Sequence, residues 1–230
     1  MKNTAIHRDI ILKVAAALGD LNEQVVYVGG ATVGLYVNDP SAEDMRPTMD
    51  VDISLSVASF SELEQARVEL LQKGFTQSGD DDVICRFRYH GLKMDVMNTK
   101  VIGWAPANPW FAPGFASRIA VFIENQIVYI LPLPYFLATK FAAYNNRGKD
   151  EPRTSHDFED IVYLLDNRVD IVEQIIGAPP DVKPFLESEF EKILTDTRKL
   201  EATYSNLSYE TREGRYEMII KKLEAIRQGF

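Results

Sequence analysis

The chain has 230 residues, 46% of them hydrophobic, and a formal net charge of −9. That apolar share supports a packed core and excludes global disorder, while the acidic balance argues against a broad, nonspecific nucleic-acid surface, which needs clustered Lys and Arg. The single cysteine, Cys85, excludes an intrachain disulfide, and His7, His90 and His156 fall in no metal-ligand spacing with it or with one another, so no zinc site is expected.

Apolar residues recur at helical spacing over 5–18, and Gly19-Asp20 ends that helix. Residues 24–28 read as a short apolar strand broken by Gly29-Gly30, and 31–37 as a short helix. A polar loop with two prolines, 38–47, leads to a strand over 49–57. Ser59, with Glu62 three residues on, predicts a capped helix running to about Lys73, stopped by Gly74. Residues 78–82 form an acidic turn whose Asp80-Asp81-Asp82 run reads as solvated. Strands over 83–89 and 92–97 join at His90-Gly91, a hairpin turn. Cys85 reads as a small core residue of the first of these strands. Residues 101–117 read as a loop with one short helix, its aromatics capping the core or stacking on a base. A second hairpin spans 119–123 and 126–130. Beyond Pro132 and Pro134 helical periods dominate, over 134–146, 154–166, 168–176, 181–196 and 208–228. The architecture expected is α+β: a mixed sheet flanked by helices in residues 1–131, then an all-helical domain in 132–230 that completes a nucleotide cleft. No apolar run is long enough to span a bilayer, and no signal-peptide pattern is present, so no membrane partner and a cytoplasmic location are expected.

The most informative residues are Asp50 and Asp52. Residues i and i+2 of a strand share a face, so the two carboxylates stand side by side. Such close like charges repel unless a cation sits between them, and an oxygen-only pair suits Mg²⁺ with substrate phosphates. In this reading Met49, Val51, Ile53 and Leu55 face the core while Ser54 shares the acids' face. Asp95 is an acid within an otherwise mostly apolar strand, where burial without a partner is costly. Gly-Gly lets backbone amides approach a phosphate, and a following helix N-terminus adds a favourable dipole. Lys140 lies in the most apolar part of its helix and can share a face with Arg147, seven residues on. Asp157 and Asp160, three apart, can meet each other. Two roles stay open for Lys140: an ion pair with Asp157 or Asp160 that ties two helices together, or contact with a triphosphate.

Strand, Gly-Gly, helix, loop, a strand with Asp-Val-Asp, then a further strand with Asp: this order resembles the nucleotidyltransferases of the DNA polymerase β superfamily. Within it, Arg46-Pro47-Thr48-Met49-Asp50-Val51-Asp52 and the helical set Lys140, Arg147, His156-Asp157-Phe158-Glu159-Asp160 resemble the AbiEii-type nucleotidyltransferases, toxin components of abortive-infection toxin–antitoxin pairs. The resemblance covers residues 20–166. It implies a nucleotidyltransferase fold in residues 1–131 and a Mg²⁺-dependent transfer of a nucleoside monophosphate from an NTP to an acceptor hydroxyl. Asp50, Asp52 and Asp95 would be catalytic and hold two metal ions, with Asp95 as third ligand or base. Gly29, Gly30, Thr32, Arg46, Lys140, Arg147, Asp157 and Asp160 would bind the nucleotide. The partners implied are the NTP, an acceptor (an RNA end, a protein or a small molecule) and a cognate antitoxin. The chain departs from the family pattern at Gly30, where many members carry serine, and at His156, where a lysine is usual. Those departures keep a second reading open, a catalytically weak or inactive nucleotide-binding or regulatory protein on the same fold. A two-metal nuclease also uses clustered acids but leaves the Gly-Gly turn unexplained.

Overall fold

The computed structural model of the protein describes residues 2–147 and 151–229. The chain divides into two compact units, one comprising Met1–Leu35 with Asp44–Pro132, the other Tyr36–Glu43 with Leu133–Phe230.

The first unit is built on a six-stranded mixed sheet. Its strands are β1 (Val25–Val28), β2 (Asp50–Leu55), β3 (Arg86–Tyr89), β4 (Leu92–Asn98), β5 (Ile119–Ile123) and β6 (Gln126–Ile130), in the spatial order β3-β4-β2-β1-β6-β5. β1 runs antiparallel to β2 and parallel to β6, and β2 runs parallel to β4. The two outer pairs are antiparallel hairpins. All four residues of β1 are buried, as its unbroken apolar text requires of a central strand covered on both faces. Helix α1 (Asn3–Leu18) packs on this sheet through Ile10, Ile11, Val14, Ala15 and Leu18, and α2 (Phe60–Gln72) buries Leu63, Ala66 and Leu70. The cap read at Ser59 is present: its hydroxyl accepts from the Glu62 N–H at 3.2 Å, and Glu62 accepts from the Ala58 N–H at 2.8 Å. The predicted short helix in the loop after β4 is α3 (Phe111–Ala116).

Two sequence expectations in this unit need correction. Residues Gly30–Leu35 form a 3-10 turn rather than an α-helix. Gly30 and Gly34 and the β-branched Thr32 and Val33 disfavour an α-helix over so short a stretch, and Thr32 ties its hydroxyl to the Gly29 carbonyl at 2.9 Å. Met49 lies before β2 and is 59% exposed, and Ser54 is buried, so the apolar face of this segment is Val51, Ile53 and Leu55.

The second unit is helical among its described residues: α4 (Leu133–Arg147), α5 (His156–Asn167), α6 (Ile171–Ile176), α7 (Lys183–Thr195), α8 (Thr197–Ser205) and α9 (Arg212–Gln228). Every residue of α4 from Leu133 to Ala142 is buried, matching a helix that is apolar nearly all round. The helix expected over 181–196 stops at Thr195, and α8 begins at once. Asp196 makes the break, its carboxylate capping the Arg198 N–H at 2.9 Å. The segment Tyr36–Glu43 is fastened within this unit by Asn38 to Asp170 (2.7 Å), by Arg215 to Asp39 (3.2 Å) and by the Tyr36 carbonyl, which accepts from Arg168 (2.9 Å). Among the described residues no helix is long and apolar enough to cross a membrane.

Candidate active site

The sheet register brings the acids together. Asp52 stands opposite Val28 on β1 and level with Asp95 on β4, while Asp50 stands level with Lys93. Asp50 and Asp52 are both half-buried and alternate with the buried Val51 and Ile53, so they share one face of β2. The third acid is thus a lateral neighbour of the second, on the adjacent parallel strand.

The glycine turn is shaped by these acids. Gly29 has φ +76°, and a Cβ placed on it would lie 1.8 Å from Asp52 Oδ2. Both the left-handed backbone and the Asp52 carboxylate therefore demand glycine there. Gly30 has an ordinary φ, but a Cβ on it would meet Arg46 Nη2 at 2.4 Å. The guanidinium of Arg46 lies over the turn and fills the space that a serine side chain would take. Thr32 is fully buried, and its hydroxyl donates to the Gly29 carbonyl. Its role visible here is to close the turn that presents Gly29 and Gly30. The α-helical N-terminus expected after the glycines is absent, since the segment is a 3-10 turn.

Two residues that sequence reasoning passed over complete this region. Arg86 on β3 forms a bidentate pair with Asp95, Nε to Oδ1 and Nη2 to Oδ2, both at 2.7 Å, and its Nη2 also lies 3.6 Å from Asp50 Oδ2. The hydrogen bonds to Asp95 hold the Arg86 guanidinium well above its ordinary pKa. Burial, reinforced by the Asp95 charge, pushes the neighbouring Cys85 thiol up, which suits its core position. His7 on α1 is buried and accepts from the Thr48 N–H through Nε2 at 3.1 Å, fastening the segment that enters β2. The signal for Arg86 was in the text. A two-residue turn at His90-Gly91 pairs 89 with 92 and hence 86 with 95, as observed. His7 carried no such signal, because its partner is 41 residues away.

Oxygen-only carboxylates on one face fit a hard divalent cation. Asp50 and Asp52 meet that description. Asp95 has the right position but has both oxygens on Arg86, and among the described residues no group of three acidic, histidine or cysteine side chains is gathered as a metal cage.

In the helical unit, Lys140 donates to Asp160 at 2.7 Å and to Asp157 at 3.3 Å, and Arg147 Nε donates to the other Asp157 oxygen at 3.0 Å. Lys140, Asp157 and Asp160 are 5%, 6% and 2% exposed. The ion-pair role left open for Lys140 is therefore present and ties α4 to α5. Arg147 is the outward member of the cluster, its side chain 74% exposed. His156 is exposed and faces Glu159 at 3.2 Å, and Arg153 pairs with Glu201 at 2.5 Å. Two other candidates have partners within the fold. Trp104 packs on Phe87, with ring centroids 5.7 Å apart, and donates to Glu64 at 2.7 Å. Asp81 of the acidic turn pairs with Arg88.

The family model for the nucleotidyl transferase AbiEii toxin of Type IV toxin–antitoxin systems matches residues 11–225. The chain belongs to the AbiEii family. The family is one of nucleotidyl transferases, and the match takes in most of both compact units of this AbiEii protein. The chain is also similar to an antigenic nucleotidyltransferase-like protein from Paracoccidioides brasiliensis, whose crystal structure it matches with a TM-score of 0.48 and 19% identity over 85% of this chain and 92% of that one. No curated relative matches the chain.

Proposed function

We propose that this AbiEii protein transfers a nucleoside monophosphate from an NTP to an acceptor hydroxyl. The observation that carries the reading is the register of Asp52 beside Asp95 and below the Gly29 turn, with Asp50 on the same face. The acceptor oxygen would form a bond to the α-phosphorus while the bond from that phosphorus to the bridging oxygen breaks, releasing pyrophosphate. Asp50 and Asp52 would hold Mg²⁺. Bound there, the ion neutralises charge on the phosphate oxygens and favours in-line displacement. The backbone of Gly29-Gly30 lets a triphosphate approach closely, and Arg46 over the turn offers it a planar cation. Asp95, once free of Arg86, would accept the acceptor's proton. Membership of a Type IV toxin–antitoxin family supports a role as a toxin with a cognate antitoxin.

The second reading, nucleotide binding without turnover, is favoured by one observation: both oxygens of Asp95 are engaged by Arg86. Calorimetry with ATP and with the other three NTPs, with and without Mg²⁺, tests the site that both readings share, and transfer of label from an NTP to an acceptor separates them. Mg²⁺-dependent binding that is lost in Asp50→Ala supports the assignment of the site. Binding of no NTP, or binding indifferent to both Mg²⁺ and Asp50, would defeat it.

A further inference from the structure

Arg86 is held in place by design of the hairpin rather than by chance. His90 (φ 46°) and Gly91 (φ 84°) form a two-residue turn with both central residues at positive φ, the geometry that fixes hairpin register. That register sets Arg86 directly opposite Asp95. The fork then takes both Asp95 oxygens at 2.7 Å and leaves Nη2 3.6 Å from Asp50. A bidentate guanidinium–carboxylate pair is among the stronger charge-assisted contacts, and this one is mostly shielded from solvent.

We infer that Arg86 gates the third carboxylate of the site. In the free protein it supplies the positive charge between Asp95 and Asp50, and a divalent ion gains Asp95 only by displacing it. The inference rests on the reading of Asp50 and Asp52 as the ion-holding pair. A guanidinium leaving Asp95 needs another anion, and a nucleotide's phosphates provide one. Free metal ion offers no such exchange. Asp95 is therefore closed to metal alone and opens to metal together with nucleotide, which keeps it from acting as a base until substrate is present. Arg86 is in this sense a positioning residue.

The test is Mn²⁺ binding to the full chain without nucleotide, followed by the electron paramagnetic resonance signal of the free ion. Arg86→Gln keeps a polar side chain of similar reach and removes the charge. It is expected to bind Mn²⁺ at least about tenfold more tightly than the wild type, the lower end of the one to three pKa units by which an adjacent Arg biases a carboxylate. Arg86→Lys, which keeps the charge but loses the fork, should fall between. A merely structural arginine predicts the opposite, a loosened site with weaker binding. Affinity equal to or below that of the wild type in folded Arg86→Gln overturns the gate. If Arg86→Gln does not fold, Arg86→Lys decides by the same criterion. Adding Asp50→Ala to either variant should abolish the gain. A gain that persists would overturn the ion-holding pair as well as the gate, whereas loss of the gate alone leaves Mg²⁺-dependent NTP binding in place.

Discussion

Replacing Gly29 by alanine tests the geometry of the site at its tightest point. Two costs are visible. Gly29 sits at φ +76°, and an L-residue held in the left-handed region costs about 1–2 kcal/mol. The new Cβ would also lie 1.8 Å from Asp52 Oδ2, so the carboxylate has to retreat by more than about 1 Å, a displacement that costs on the order of 100-fold in rate at a reacting centre. The stability loss corresponds to a fall in Tm of about 2–8 °C for a chain of this size. Gly30→Ala is the matched control. Its φ is ordinary and its Cβ meets the far end of the Arg46 side chain, at 2.4 Å, rather than a carboxylate held on the sheet, so its stability should fall less than that of Gly29→Ala. Thermal unfolding followed by circular dichroism, with transfer activity measured on the same samples, reads both effects. A Gly29→Ala protein as stable and active as the wild type would refute the reasoning, as would a Gly30→Ala protein damaged to the same extent in stability.

Lys140→Met leaves Asp157 and Asp160 without their shared cation in the interior of the helical unit, and should cost about 3–5 kcal/mol in urea unfolding, whereas Arg147→Ala, at the exposed end of the same cluster, should cost less than about 1 kcal/mol. Burial raises the pKa of Asp170, but hydrogen bonds from Arg168, Gln174 and Asn38 outweigh it and bring the value down to about 2. A carboxyl whose folded pKa is depressed adds stability above its unfolded pKa of about 4 and loses it as pH falls toward the folded value. The stability gap between wild type and Asp170→Asn, read by urea unfolding, should therefore be largest above about pH 4 and shrink between pH 4 and pH 2.

The strands and long helices were legible because their signals are local. β2 and β4 follow from alternation, the β3–β4 hairpin from His90-Gly91, and α2 from Ser59 and Glu62. The 3-10 turn after Gly29 was hidden, since a six-residue stretch with helical spacing reads the same whichever helix it forms. The α7–α8 break was hidden for a related reason: Asp196 caps the next helix without interrupting the apolar period. At the site, Asp50 and Asp52 were readable from strand parity. Their alignment with Asp95 needed the parallel β2–β4 pairing, a long-range fact that no local pattern encodes. For Lys140 the sequence offered two partners, and the structure shows the acids of α5 holding it. Arg86 was within reach of turn arithmetic, and it is the residue that most changes the account of the carboxylates.

The central claim is that Asp50 and Asp52 support nucleotidyl transfer. It is tested most directly by incubating the full chain with α-³²P-labelled NTPs, Mg²⁺ and candidate acceptors, total RNA foremost, beside Asp52→Asn of unchanged fold. The account predicts label transferred to an acceptor by the wild type, with pyrophosphate released, and none by the variant. Equal transfer by both proteins would contradict it.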